Sequence, residues 1–369
     1  MKLRCLDCEQ SWSFDPLRWR CACGGVVEIV EGPGFDPAGV AAGDYTVWRY
    51  RDALPLPEGC NPVTLGEGWT PVVDAEWVDR PVRFKMESLN PTGSFKDRGA
   101  ALLVTALRAV GAGEVVDDSS GNAGAALSAY CGRAGVHARI FVPQHASPAK
   151  RAQIAVYGAE LVRVPGSRTD TTRALLEAVD QGAAYASHAY SPLYAQGMKT
   201  IAFELWEQGG RRAPESLVVP VGHGGLLLGL HLGFRDLLAA GVIKDVPALY
   251  GVQASACAPL ARAWERGSDV IEPVEEGETV AGGVRIAAPP WGSYVLDAVR
   301  QSGGALLALS DKETLFAQRR LARLGFYVEP TSALPVAALE NLRTRLSGVP
   351  VVVLTGNGLK SPPAATEGR

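Results

Sequence analysis

The chain has 369 residues, of which 47% are hydrophobic and 20% charged, with a formal net charge of −3. That balance predicts a folded protein of two or three domains and excludes disorder along most of the chain. The near-neutral charge without a basic run gives no case for nucleic acid or an anionic membrane surface, and no apolar run is long enough to cross a bilayer.

The N-terminus begins Met1-Lys2-Leu3-Arg4 and lacks the apolar stretch of a signal peptide, so the expected location is cytoplasmic. Seven cysteines are present, and four of them, Cys5, Cys8, Cys21 and Cys23, fall in the first 23 residues. The odd total argues against a disulfide framework. Cys5-Leu6-Asp7-Cys8 is one knuckle, and Cys21-Ala22-Cys23-Gly24-Gly25 is a tighter one with a single intervening residue. Four thiolates brought together by two such turns suit structural zinc, so residues 1–30 are expected to form a zinc-ribbon-like segment. Residues 31–60, rich in proline and glycine, read as an irregular linker.

From residue 81 strands and helices alternate. Val82-Arg83-Phe84-Lys85-Met86 alternates like a strand, and Ser94 to Val110 has helical spacing. Strand-like Glu114 to Asp117 precedes an alanine-rich helix from Asn122 to Ala134. Strands are expected at 138–143 and 160–164, with helices at 148–157 and 171–179 between and after them. A helix follows Gly197, and apolar strands are expected at 217–221, 248–252 and 351–354. This spacing predicts parallel sheets built from βαβ units, with the loops after the strands gathered on one edge.

Four of those loops are chemically unusual. In Asn90-Pro91-Thr92-Gly93-Ser94-Phe95-Lys96 a lysine opens a helix. The helix dipole and partial burial would lower its pKa and supply a free amine. Ser119-Ser120-Gly121-Asn122-Ala123-Gly124 opens the next helix with backbone N–H groups suited to a carboxylate or phosphate. Gly222-His223-Gly224-Gly225-Leu226 lets the backbone close around a phosphate. It has neither dinucleotide nor P-loop spacing. Leu354-Thr355-Gly356-Asn357-Gly358-Leu359-Lys360 presents Thr355 at a strand end. Taken singly, each loop has a plainer reading: a lysine at a helix start is more often a solvated charge, the serine loop is also a capped helix start, the glycine loop alone is a weak phosphate signal, and the last is also a polar turn ending a strand.

Together the four loops resemble the fold type II family of pyridoxal-phosphate enzymes, whose fold is like that of the tryptophan synthase β chain. Within that family they are most similar to the threonine synthase branch, over about residues 60–360. The resemblance implies that Lys96 carries pyridoxal 5′-phosphate and that Asn122 bonds its phenolic oxygen. It also implies that Gly222, His223, Gly224, Gly225 and Leu226 cradle the cofactor phosphate, and that Thr355 meets the ring nitrogen. Ser119, Ser120 and Gly121 would receive the substrate carboxylate, with Ser94 and His188 also facing substrate. The implied architecture is a large cofactor-binding domain, 31–100 with 185–360, a small mobile domain, 101–184, and a flexible tail, 361–369. A homodimer is implied as well. The implied reaction converts O-phospho-L-homoserine and water to L-threonine and phosphate. Tyr194 stands where the branch has a phosphate-binding arginine. His188, Lys150, Arg151 and Arg285 are candidates to replace it. Two alternatives are kept: β-elimination or β/γ-replacement on another hydroxy or activated amino acid, and a non-catalytic interaction protein that retains the fold.

Overall fold

The computed structural model describes residues 1–144 and 148–361; of 148–150 the backbone alone is described. The eight-residue end of the expected tail, 362–369, and the Lys150 side chain lie outside the described residues.

The chain opens with three short strands, β1 (Lys2–Cys5), β2 (Ser11–Ser13) and β3 (Val27–Val30). They form an antiparallel sheet in the order β2-β1-β3. Leu3 and Cys5 alternate inward along β1, as a strand with one buried face requires. The stretch read as a linker has no strand, but it is packed rather than loose. Phe35, Trp48 and Tyr50 enter the main core, and Arg49 pairs with Glu207 at 2.7 Å.

Two strands and a helix follow: β4 (Val72–Glu76), β5 (Pro81–Lys85) and α1 (Lys96–Ala109). The chain then builds β6 (Glu114–Asp117), α2 (Asn122–Ala134), β7 (His137–Pro143), α3 (Pro148–Val156), β8 (Glu160–Val164), α4 (Arg168–Asp180) and β9 (Ala184–Tyr185). These four strands form one parallel sheet, ordered β8-β7-β6-β9. The helix α4 starts three residues before the expected point because Ser167 and Asp170 make a capping box.

The return half comprises α5 (Pro192–Gln208), β10 (Ser216–Pro220), α6 (Gly225–Ala239), β11 (Ala248–Ala254), α7 (Pro259–Glu265), α8 (Gly292–Gln301), β12 (Ala305–Leu309), α9 (Asp311–Arg323), α10 (Pro330–Ala337) and β13 (Val351–Val353). Its strands join β5 and β4 in a six-stranded sheet, ordered β12-β11-β10-β13-β5-β4. All pairs are parallel except β4 with β5. The strand β10 is buried along its whole length, which fits its continuous apolar run.

Helices α1, α5 and α6 meet through glycines. A Cβ at Gly197 of α5 would lie 2.4 Å from the Arg98 carbonyl oxygen of α1. One at Gly229 of α6 would lie 2.3 Å from the Met198 Cβ, and one at Gly233 2.7 Å from the Ala202 Cβ. Only hydrogen fits at these crossings, so the backbones approach closely. A buried ionic network fixes the same region. Arg98 reaches Glu87 at 2.7 Å and Glu204 at 2.7 Å, while Lys85 reaches Glu204 at 2.6 Å. Burial opposes ionisation of Glu204, but the Arg98 and Lys85 charges hold it at about 2. Removing one partner would strand the others in an apolar setting, at about 3–5 kcal/mol.

Candidate active site

The C-terminal ends of the central strands of both sheets face a cavity of about 520 Å³. Lys96, the first residue of α1, lines it. Its Nζ lies 5.3 Å from the Tyr194 ring centroid and 5.0 Å from that of Phe95. Burial lowers its pKa to about 8, against the opposing pull of Asp117. A sizeable fraction of free amine is therefore present near neutrality.

The loop that delivers Lys96 is braced from two sides. Thr92 donates its N–H to Asp97 at 2.7 Å and its hydroxyl to the same carboxylate. Phe95 N donates to the Thr355 carbonyl at 3.0 Å, and Ser94 bridges Gly356. The lysine loop and the loop after β13 are thus zipped together. Ser94 itself sits behind the cavity, fully buried, with its hydroxyl unpartnered among the described residues. Thr355 does line the cavity. Its Oγ1 lies 2.9 Å from the Ser332 hydroxyl, which also accepts the Gly356 N–H at 2.7 Å.

After β6 the chain turns sharply. A Cβ at Gly124 would stand 2.0 Å from the Ser119 carbonyl oxygen, so only glycine permits this turn into α2. Ser119, Ser120, Gly121 and Asn122 all line the cavity. Asn122 Nδ2 donates to Glu329 at 3.0 and 3.2 Å.

The loop after β10 brings Gly222, His223, Gly224, Gly225 and Leu226 to the same cavity. Among the described residues no acceptor takes their backbone N–H groups. Gly224 has φ +100°, and its Cβ would lie 2.4 Å from the Val295 Cγ2. At Gly225 a Cβ would meet open space, so the α6 N-terminus forms an open cradle. Among the described residues the buried His223 Nδ1 has no hydrogen-bond partner.

His188, on the segment between β9 and α5, also reaches the cavity. Its Nδ1 lies 3.0 and 3.2 Å from the two Asp117 oxygens, and its ring lies 5.4 Å from that of His223. Burial, and then the Lys96 charge, lowers His188 to about 3. Burial raises Asp117 to about 7. The Trp291 Nε1 donates to the Ala189 carbonyl at 2.7 Å and fixes this segment against α8. Tyr194, in the first turn of α5, donates its hydroxyl to the Lys96 carbonyl at 3.0 Å. A Cβ at Gly99 would lie 2.5 Å from the Tyr194 ring, so that ring packs directly against α1.

Of the cations considered as phosphate ligands, Arg285 lines the cavity and Arg151 does not. Arg168 and Glu276 also line the cavity and escaped the sequence reading, as did Glu329, whose stretch to Ala333 resembles the family but was given no role. Asp117, which orients His188, escaped it too. The signal for Asp117 was a carboxylate ending an apolar strand just before a serine loop; for Arg168 it was the Ser167–Asp170 capping box.

Away from the cavity, the Sγ atoms of Cys5, Cys8, Cys21 and Cys23 all lie within 4.8 Å of one another. Cys5 and Cys23 are 3.5 Å apart, and Cys8 and Cys21 3.6 Å. Tetrahedral zinc with bonds of about 2.3 Å would set sulfurs about 3.8 Å apart.

Residues 63–356 match the family of pyridoxal-phosphate dependent enzymes. The threonine synthase of Methanocaldococcus jannaschii is 33% identical over 99% of this chain and 94% of its own. That of Mycobacterium bovis is 36% identical over 86% of this chain and 88% of its own. Among solved structures, the T.th. threonine deaminase superposes with a TM-score of 0.68 at 29% identity, over 78% of this chain and 92% of that one. An L-serine ammonia-lyase from Rhizomucor miehei has a TM-score of 0.68 at 26% identity, over 78% and 93%.

Proposed function

The chain belongs to the pyridoxal-phosphate-dependent enzymes, in the threonine synthase family, and from that premise we propose that it converts O-phospho-L-homoserine and water to L-threonine and phosphate. The observation that carries this reading is one cavity lined by the Lys96 amine, the open glycine cradle of α6 and the Ser119–Asn122 turn. The cradle suits the cofactor's phosphate. Unpaired N–H groups at a helix start suit a phosphate dianion, and Gly225 leaves the space that a Cβ would fill. Lys96, with its depressed pKa, has the free amine an aldehyde requires.

Bound pyridoxal phosphate supplies an electron sink for the pair released at the substrate Cα. The residues do the rest. Lys96 would hold the cofactor through its amine and would carry protons to and from the substrate carbons. Gly222, His223, Gly224, Gly225 and Leu226 hold the cofactor phosphate. Asn122 would meet its phenolic oxygen, and Thr355, with Ser332 behind it, its ring nitrogen. Ser119, Ser120 and Gly121 would receive the substrate carboxylate, with His188 beside them, while Ser94, buried behind the cavity, braces the lysine loop. The small parallel sheet, within 101–184, would close over substrate and exclude water during elimination.

One observation favours a second reading. Tyr194 occupies the position of a phosphate-binding arginine and is committed to the Lys96 carbonyl. An enzyme that eliminates water from serine or threonine needs no such arginine. Steady-state assays with O-phospho-L-homoserine, serine and threonine separate the two. Stoichiometric phosphate and threonine from the first substrate support the leading reading. Ammonia and a keto acid from serine or threonine, with no phosphate released from the first, would replace it.

The four cysteines are proposed to hold one structural zinc, since four thiolates within 4.8 Å of one another match its donor preference. A homodimer and a cytoplasmic location complete the proposal; among the described residues no helix is long and apolar enough to cross a membrane.

A further inference from the structure

The reading above leaves the substrate's own phosphate without a ligand. Tyr194 is committed to the Lys96 carbonyl, and an uncharged phenol is in any case a weak partner for a dianion. His188 lines the cavity, but burial holds its ring at about 3 and its Nδ1 faces Asp117, so it brings no positive charge. Arg151 does not line the cavity. Arg285 does, but its Nη2 donates to the Glu276 carbonyl at 3.3 Å and its Nε lies 3.7 Å from the Glu276 carboxylate. Glu276 lines the same cavity, so an anion brought to Arg285 would also meet a like charge.

Arg168 is differently placed. It is the first residue of α4, exposed to solvent, and it lines the cavity at the rim. Among the described residues its carbonyl accepts from Thr172, and nothing engages its guanidinium. Asp170, two positions on, is already occupied: one oxygen accepts from the Ser167 N–H and hydroxyl, and the other from Arg173 at 3.0 Å. A cation in the first turn of a helix also works against the helix dipole, a cost that an anion bound beside it would offset. The turn that carries Arg168 is anchored at the site. Thr172 donates to Asp118 at 2.8 Å, which ties α4 to the loop bearing Ser119 and Ser120. From there the charge of Arg168 acts on Asp117, His188 and His223.

We propose that Arg168 binds the phosphate of O-phospho-L-homoserine, taking over from the arginine that Tyr194 replaces; the assignment rests on the phosphohomoserine reading above. The planar guanidinium can offer two N–H groups to two phosphate oxygens at once. Arg168 belongs to the small sheet's layer, whereas the glycine cradle follows β10 of the large sheet. A substrate held by both sides would draw the small sheet inward. The free amino acid makes no such bridge, so the same residue selects the phosphorylated substrate over it.

The test compares wild-type holoenzyme with Arg168→Gln, Arg168→Lys and Arg285→Gln, each checked for cofactor absorbance. Three quantities are read. They are kcat/KM for O-phospho-L-homoserine, the inhibition constant of inorganic phosphate, and the dissociation constant of L-homoserine, which lacks only the phosphoryl group, from the change in cofactor absorbance. In Arg168→Gln, kcat/KM is expected to fall and the phosphate inhibition constant to rise, each by roughly 10-fold or more, with L-homoserine binding unchanged. Arg168→Lys should recover part of the loss, since it keeps the charge without the fork. An unchanged kcat/KM in Arg168→Gln, an equal weakening of L-homoserine, or a loss confined to Arg285→Gln would each overturn the assignment. Wild type that releases no phosphate would overturn the underlying reading instead, and the assignment with it.

Discussion

At the scale of single residues, the working property of Lys96 is its amine, and burial decides it. The folded pKa of about 8 lies below the ordinary 10.5, so in the apoprotein the free amine gains as pH rises through about 8. Cofactor loading onto apoprotein should follow. Stopped-flow absorbance should show the loading rate rising with pH through about 8 and then levelling, whereas Lys96→Ala should show no covalent loading and no turnover at any pH. A loading rate flat between pH 6 and 9 would rule out the depressed amine as the loading group. The linkage sign agrees. Between about 8 and 10.5 the unfolded chain binds the proton that the folded apoprotein has lost, so this group makes apoprotein stability rise with pH in that window. Lys96 was legible because a lysine at a helix start is unusual, and the motif around it removes the ambiguity. Asp117 was not legible. In sequence it is a polar strand end, and only the fold brings its carboxylate 3.0 Å from an imidazole 71 positions away. Tyr194 was legible only as a departure; its bond to the Lys96 carbonyl depends on how α5 crosses α1.

At the scale of elements, the loop after β10 is the most sharply constrained. Gly224 has φ +100°, which an L side chain adopts at about 1–2 kcal/mol, and its Cβ would collide with Val295. Gly224→Ala should leave far-ultraviolet circular dichroism unchanged and raise the cofactor dissociation constant roughly 10-fold or more, each 1.4 kcal/mol being tenfold. Unchanged cofactor affinity would detach the cradle from the cofactor phosphate. The strands and helices flanking the four loops were readable because each changes its period at a glycine or a small polar residue. The start of α5 was not. Gly197 suggested a beginning there, while Pro192 at the first helical turn sets it five residues earlier. The strand β12 was overlooked, and the order β12-β11-β10-β13-β5-β4 depends on pairings between distant segments that no local pattern encodes.

At the scale of the whole molecule, the N-terminal segment touches both halves through residues between its strands. Trp19 stacks edge-on against Tyr185 of β9 at 4.8 Å and Tyr190 at 5.5 Å. On the other side, Tyr294 of α8 donates to the Leu6 carbonyl at 3.2 Å. The four cysteines thus anchor a bracket between the small sheet and the large one. Freshly purified, reduced protein should contain about one zinc per chain, and Cys21→Ser should remove it and lower Tm. Metal-free protein of unchanged Tm would dismiss the zinc. The cysteine spacing was plain in the sequence, but the bracket was not, because Trp19 lies between the knuckles in a stretch without periodicity.

The glycine crossings of α1, α5 and α6 carry a consequence for how such a chain can drift over generations. At Gly197, Gly229 and Gly233 even a methyl group would need a neighbouring backbone or side chain to move. The lysine loop rides on one of these helices and the phosphate cradle on another. A lineage accumulating substitutions must therefore change these positions in concert or leave them alone, while the small sheet stays free to vary with the substrate it covers.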